Sequence, residues 1–456
     1  MFRVTTTLAT TLILAGCTTL GQPYVAPSVD ANARYGAAQA GGAKSVTATT
    51  MWWRAFNDSQ LNALIEAGLK QNLTIARAVE RVIEARETAA AEGIGLPTGS
   101  ASGSAAGSSA GGDVELTRSA STTLNWEIDL FGGLAKRREA AQASIDAATE
   151  EANMARLTLI GDIATAYVEA QGYQDRIHIA RTTLESQNQT TALTRKQNEV
   201  GVVTRLDVTQ LAGDVASTAA SIPALEISLN ESIHRLGVLL GQQPSALKSM
   251  FATTTQIPRL SGSVQAGIPS DLMRDRPDIR QAERTLAEAA ADIGVAQADL
   301  YPSLTLAGNL SVSSATTWSL GPTLSLPIFN RGALKATVRL EESDAEQAYL
   351  AYRETVLEAV EEIENALVGF SKQQARRSEL AESYTSYTEA TDIADDLYRA
   401  GDTTLLDLLT AQRSLYTARD SLAQSSVAVA TQYIILCKAT GGGWNISGAT
   451  TAESRS

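Results

Sequence analysis

Two histidines, two cysteines and a pair of aspartates 200 positions apart are the residues whose chemistry most needs placing. His178 and His234 stand alone, with no further ligand at metal spacing, which argues against a zinc site and against a histidine base. No Gly-rich phosphate loop, Ser/His/Asp set or constellation of paired carboxylates is present. The chain therefore does not read as an enzyme, and no metal or cofactor is expected. Asp207 and Asp407 are another matter, because each closes the same pattern: Gly201, Thr204, Leu206, Asp207 in one place and Gly401, Thr404, Leu406, Asp407 in the other. An Asp just after a turn is favoured at a helix start by capping and by the helix dipole. The two acids mark two equivalent turns.

The elements that position those turns repeat as well. Val208, Val215, Ile222, Leu229 and Leu236 form an apolar stripe at seven-residue spacing, and Leu408, Leu415, Leu422, Val429 and Leu436 repeat it 200 positions later. The same offset relates Leu157 to Leu357, Ile160 to Val360 and Ile163 to Ile363. A strict seven-residue period keeps one seam against a partner helix along its whole length, as in coiled coils. The chain is thus an internal duplication of long helices. No proline interrupts residues 134 to 200 or 334 to 400, and helices of that length span on the order of 100 Å at ~1.5 Å per residue. A returning helix follows each, from Leu206 to Leu240 and from Leu406 to Ala439. Gly201 and Gly401 sit at the reversals, where a helix end commonly needs a positive φ.

Each repeat begins with a shorter helix. Leu61, Leu64, Ile65, Leu69, Leu73, Ala76, Val79 and Ile83 share one face in the first, ending near Gly93 to Pro97. In the second, Ile279, Ala282, Leu286, Ala289, Ile293 and Ala296 do the same, ending near Tyr301-Pro302. Period-two segments follow: Leu124, Trp126, Ile128 and Leu130 in one repeat, Leu304, Leu306, Leu310 and Val312 in the other, each alternating with mostly polar residues. A further alternation runs through Leu320, Leu324, Leu326 and Ile328, and residues 98 to 110, rich in Ser, Gly and Ala, form the weakest strand. Each repeat therefore contributes one hairpin, about 98–130 and 303–329. Runs of about ten alternating residues suit a tilted membrane-spanning strand.

The chain ends and the composition narrow the setting. Arg3, the apolar run Leu8 to Leu14 and Leu14-Ala15-Gly16-Cys17 read as a short export signal. The last four of these resemble the bacterial lipobox, which implies removal of residues 1–16 and lipid on Cys17. Cys437 is the other cysteine, so no internal disulfide forms if Cys17 is acylated. After Leu14 no stretch approaches the ~18 uninterrupted apolar residues of a membrane-spanning helix, so any crossing uses strands. A net charge of -13 without a basic, aromatic-interleaved cluster argues against nucleic acid. Four strands are too few to close a membrane barrel, since known ones use about eight or more; several chains must pool theirs, with the helices continuing as a tube.

At this point the chain resembles the TolC-type outer-membrane factors, most closely their lipoprotein (NodT/OprM-like) branch, which serves resistance-nodulation-division efflux systems. The resemblance rests on Cys17, on Trp52-Trp53-Arg54-Ala55-Phe56-Asn57-Asp58-Ser59-Gln60-Leu61, on Asn72-Leu73, on Arg274-Asp275-Arg276-Pro277-Asp278-Ile279, on Tyr301-Pro302-Ser303 and on Leu406-Asp407-Leu408-Leu409-Thr410-Ala411-Gln412-Arg413. It implies a mainly α fold with a membrane β-barrel: a homotrimer whose four strands per chain make a shared twelve-stranded outer-membrane barrel above a periplasmic α-barrel. The implied partners are a periplasmic adaptor, an inner-membrane transporter and outer-membrane lipid, and the implied function is passive exit for small toxic compounds or drugs. The resemblance places Leu406, Asp407, Thr410 and Arg413 at the channel aperture, where copies of Asp407 would form a negative ring beside an apolar constriction of Leu406. Family members often carry an acid at the place of Thr410, so a second acidic ring is not implied here. Gate tethers map onto Asp207 and Tyr398, and adaptor contacts onto Val200, Gly201 and Val202 and onto Ala400, Gly401 and Asp402. Trp52 and Trp53 read as packing residues.

The implied division is a signal peptide (1–16), a lipidated tether (17–50), a first repeat (51–240), a connecting equatorial segment (241–275), a second repeat (276–440) and a tail (441–456). Two other readings stay open: the outlet of a type I protein secretion system, and a lipid-anchored periplasmic coiled-coil scaffold, which leaves the alternating segments without a role. Cys17→Ala is expected to leave an unlipidated precursor with weakened membrane retention, because acyl chains supply anchoring. Mass spectrometry of the mature N-terminus tests this, and a wild-type N-terminus without lipid would refute it.

Overall fold

The computed structural model describes residues 24–27, 51–111, 113–252, 257–258 and 276–444. Cys17, most of the tether, residues 259–275 of the connecting segment and the tail from 445 lie outside the described residues. A 3-10 turn at Trp52–Phe56 precedes helices α1 (Ser59–Gln71) and α2 (Leu73–Ala91), strands β1 (Thr98–Ala110) and β2 (Asp113–Ile128), and helices α3 (Gly133–Glu199) and α4 (Arg205–Leu239). The second repeat supplies α5 (Pro277–Ala298), β3 (Ser303–Val312), β4 (Thr316–Ser325), α6 (Arg331–Ala400) and α7 (Leu405–Ala439). None of the described helices is long and apolar enough to cross a membrane.

The chain packs as two compact units, each drawing on both repeats. The first takes its described residues from Ala78–Ala152 and Pro277–Leu357 together with 24–27; the second takes them from Ala31–Arg77, Asn153–Arg276 and Glu358–Ser456.

The first unit holds the sheet, in the order β1-β2-β3-β4, antiparallel throughout. The β2–β3 pairing, from Ala120 opposite Val312 to Ile128 opposite Leu304, joins the hairpins of the two repeats. Because side chains alternate across a strand, this register sorts them by face. Leu124, Trp126, Leu306, Leu310, Trp318, Leu320 and Leu324 share one face, and most of them are exposed. The other face carries hydroxyls in cross-strand pairs: Ser100 with Thr123 at 2.9 Å, Ser102 with Ser121 at 2.8 Å and Ser104 with Ser119 at 2.8 Å. Where the sheet meets the helices, Phe131 stacks on Tyr301 with centroids 4.9 Å apart, and the Asp129 carboxylate accepts from Ala135 N–H at 2.9 Å.

The second unit holds the deepest core, along α3 from Leu157 to Ala180, with Ile160, Ile163, Ala164 and Val168 fully buried. It also explains several of the sequence motifs as clamps. The expected single helix from Leu61 to Ile83 is broken at Asn72, whose carboxamide oxygen accepts from the Thr74 and Ile75 amides at 2.8 and 3.0 Å, starting α2 anew. The Asn72 amide in turn donates to the carbonyl of Leu239, at the end of α4, at 2.8 Å. In the second repeat, Arg276 donates to the carbonyl of Ala439, the equivalent position at the end of α7, at 2.7 Å and pairs with Glu362. A cation at a helix C-terminus is favoured by the dipole. Gly241 and Gly441 follow with φ of 68° and 71°, and a Cβ at Gly241 would lie 2.5 Å from the carbonyl oxygen of Gln71.

Trp52 and Trp53 are packing residues. The Trp52 indole donates to the Gly442 carbonyl at 3.1 Å, and the Tyr433 hydroxyl donates to the Trp52 carbonyl at 3.3 Å. Edge-on ring contacts of Tyr433 with Trp52 and Phe56 complete the lock. Asp58 caps α1 through the amides of Gln60 and Leu61 and accepts the Tyr167 hydroxyl at 2.8 Å. Asn72→Ala removes both the cap of α2 and the partner of a buried carbonyl, a loss of about 2–3 kcal/mol. Its detergent-solubilised protein should melt several degrees below wild type by circular dichroism; an unchanged midpoint would show that the clamp contributes nothing.

Candidate functional site

The two turns are built alike. At the end of α3, Gly201 (φ 79°) donates to the carbonyl of Asn198 and Val202 to that of Gln197; at the end of α6, Gly401 (φ 84°) donates to Tyr398 and Asp402 to Leu397. These are Schellman motifs, in which a residue after the helix turns left-handed so that its amide and the next satisfy the last carbonyls. Beyond each turn a capping box starts the returning helix. Thr204 accepts from the Asp207 amide while the Asp207 carboxylate accepts from the Thr204 amide at 2.8 Å, and Thr404 and Asp407 repeat the exchange.

The turns differ in what they show to solvent. Val200 and Val202 are 75% and 71% exposed, whereas Ala400 and Asp402 take their places in the second turn, both exposed. An uncovered pair of valines on a tight turn is an apolar tip; its counterpart is polar.

At the start of α7, Leu405, Leu408 and Leu409 are buried in a cluster with Leu211 of α4, against which Ala394 and Tyr398 of α6 pack. That burial turns Leu406, Thr410 and Arg413 outward along one exposed stripe, with Asp407 exposed beside it. Leu406 is 55% exposed. Thr410 spends its hydroxyl on the Leu406 carbonyl at 2.8 Å. The Asp407 carboxylate accepts from the Thr404 hydroxyl at 2.5 Å, from the Thr403 hydroxyl at 3.1 Å and from the Thr404 amide at 3.2 Å. These bonds, that from the Thr404 hydroxyl first, hold its carboxyl below the usual carboxylate range. Asp407 is therefore a helix cap and an exposed anion at once. In the first turn Val203 stands where Thr403 stands in the second, so Asp207 has one donor fewer.

Asp207 and Tyr398 are not joined within the chain. The Tyr398 hydroxyl donates instead to the Gln197 carboxamide at 2.6 Å, linking α6 to α3. Arg413 makes the second link, holding Asp214 of α4 with Nε at 3.1 Å from both carboxylate oxygens and Nη2 at 2.6 Å from one. Gln197 and Asp214 were not among the residues singled out from the sequence. A signal existed for the latter: where the repeats align, Gly213-Asp214 faces Arg413-Ser414, an acid in one copy next to a base in the other. Deeper along the same helices, Arg176 of α3 pairs with Asp420 of α7 at 2.7 Å. Among the described residues no group of His, Cys, Asp or Glu is arranged to hold a metal ion.

Comparison with known proteins fits this geometry. Residues 64–242 and 268–442 match the family described as outer membrane efflux protein. Over 453 residues the chain is 37% identical to nodulation protein T of Rhizobium leguminosarum bv. trifolii, covering 95% of this chain and 96% of that protein. It is 31% identical over 431 residues to the pyoverdine export outer membrane protein OpmQ of Pseudomonas aeruginosa, covering 89% and 90%. Among solved structures, the outer-membrane channel OprN superposes with a TM-score of 0.86 at 32% identity, covering 94% of this chain and all of that one. With both repeats matched by the family and the fold shared with such a channel over 94% of its length, this chain belongs to the outer membrane efflux protein family.

Proposed function

We propose that this outer-membrane efflux channel works as a homotrimer, giving passive exit to small compounds that an inner-membrane transporter drives through a periplasmic adaptor, with lipid on Cys17 as an added anchor. The observation that carries the reading is the sheet: one apolar face, one hydroxyl-rich face, and the outer edges of β1 and β4 with no further strand beside them among the described residues. In hydrocarbon such edges must be satisfied by other strands, and three chains of four strands make a barrel of about twelve, within the range of membrane barrels. The apolar face then meets lipid, and the paired hydroxyls of β1 and β2 line a wettable lumen. Relatives named for pyoverdine export and toluene efflux support small-molecule cargo.

The two turns form the periplasmic end in this reading. Val200, Gly201 and Val202 with Ala400, Gly401 and Asp402 meet the adaptor, the exposed valines supplying the apolar part of the contact. Leu406, Asp407, Thr410 and Arg413 border the aperture. Because Arg413 is neutralised by Asp214, the uncompensated charge of the stripe is Asp407, and three copies around an axis make a negative ring. Neighbouring carboxylates would push one another toward protonation, and the three hydrogen bonds on each Asp407 oppose that, so the ring stays charged. Closure in this chain rests on Tyr398–Gln197 and Arg413–Asp214, which tie the second helical hairpin to the first.

Single-channel recording in planar bilayers tests the reading. Arg413→Ala should raise resting open probability about two- to fivefold, as loss of roughly 0.5–1 kcal/mol per exposed ion pair predicts. Asp407→Asn, which keeps an acceptor for the cap, should weaken cation preference. Unchanged selectivity in Asp407→Asn would leave that residue a cap alone and place the charged constriction elsewhere.

A further inference from the structure

Strand β2 outruns the second hairpin. Ala120 pairs with Val312, the last residue of β3, and beyond it only β1 continues alongside, as far as Ala110 opposite Asp113. On this extension stands Arg118, opposite Ala105. It occupies an even position of β2, in register with Leu116, Leu124 and Trp126, so the one cation of the four strands lies on the apolar face. Leu116, two residues nearer the hairpin tip on that face, is 55% exposed. The apolar surface therefore continues on both sides of Arg118.

Among the described side chains of the strands, nothing neutralises it. β1, β3 and β4 contain no charged residue, and the acids of β2, Asp113, Glu115 and Glu127, occupy odd positions. Arg118 has no ion-pair partner among the described residues. A second copy adjoining β1 or β4 brings the same uncharged strands, so assembly leaves Arg118 as it is.

Its height on the barrel is set by the strand. From Ile128, after which Asp129 opens the charged helical side, ten residues lead to Arg118, about 33 Å along the strand and about 25 Å along the membrane normal at ~40° tilt. The apolar band of such barrels is about 25 Å tall. Arg118 thus sits at the rim farthest from the helices, where lipid headgroups of the outer leaflet begin. A cation on a lipid-facing strand is tolerated near an interface far better than at the midplane, and a guanidinium fork matches two oxygens of a phosphate.

We propose that Arg118 binds the phosphate of a lipid headgroup in the outer leaflet, one site per chain around the barrel. The site rests on the outer-membrane barrel reading above and adds its ligand. Native mass spectrometry of the full-length detergent-solubilised assembly, with lipid A as the probe, tests it, and the number of chains in the same spectrum reports separately on whether the barrel assembled. Wild type should retain phosphorylated lipid A about tenfold better than the dephosphorylated lipid, R118Q should lose that preference, and R118K should keep part of it. Excess inorganic phosphate should not displace the lipid. Equal retention of both lipids by wild type, an undiminished preference in R118Q, or displacement by inorganic phosphate would each overturn the proposal. If R118Q does not assemble, R118K and the two-lipid comparison on wild type decide it.

Discussion

Two rows of backbone amides and carbonyls, along the free edges of β1 and β4, constrain this protein more than any side chain does. In water such edges are hydrated; in hydrocarbon each unpaired group costs several kcal/mol. The sheet has a lipid-compatible face of Leu, Trp, Gly and Ala and an opposite face of Ser, Thr and Asn, so it belongs in a membrane, and in a membrane its edges need other copies of themselves. A duct follows from that need: a closed sheet has an inside, and here the inside is hydroxyl-lined and uncharged over most of its length. Arg118 interrupts the apolar wall, which Leu116 continues toward the hairpin tip.

The two helical turns answer a different demand. Two near-identical turns, related by the duplication, carry the same Schellman reversal and the same Thr–Asp capping box, so the duplication supplies the scaffold twice. Function enters where the copies diverge. Asn198 braces its own turn by donating to the Val203 carbonyl at 2.8 Å, while Tyr398 in the equivalent place reaches across to Gln197. Asp214 and Arg413 form a pair only because one copy gained an acid and the other a base. Exposed valines on one turn and Ala400 and Asp402 on the other give the two tips unlike surfaces. A symmetric pair of hairpins has thereby become one whose members are tied together by a few polar links over a small leucine cluster.

Much of this was legible in the sequence. The offset of 200 residues located both turns, and the proline-free stretches located α3 and α6 to within a few residues. Period-two alternation located β3, β4 and the end of β2, whereas β1, rich in Ser, Gly and Ala, was legible only as the weakest strand, and the start of β2 carries no sustained apolar alternation. Other features were hidden for physical reasons. The apolar seven-residue stripe of α4, from Val208 to Leu236, is mostly half-buried; the more deeply buried one lies three residues on, at Leu211, Thr218, Leu225, Ser232 and Leu239. Thr218 and Ser232 are buried there, Ser232 satisfying its hydroxyl by donating to the Ser228 carbonyl at 3.0 Å, so close packing carries no apolar signature. The break at Asn72 was masked because Leu73, Ala76 and Val79 keep a helical period across it. The partners of Tyr398 and Arg413 depend on how two hairpins are staggered, which no single helix records.

The number of chains in the detergent-solubilised particle tests the edge constraint most directly. Light scattering, corrected for bound detergent, should give three times the mass of one chain, because four strands per chain close a barrel of about twelve. A monodisperse single chain that keeps its sheet and conducts ions in bilayers would contradict the account.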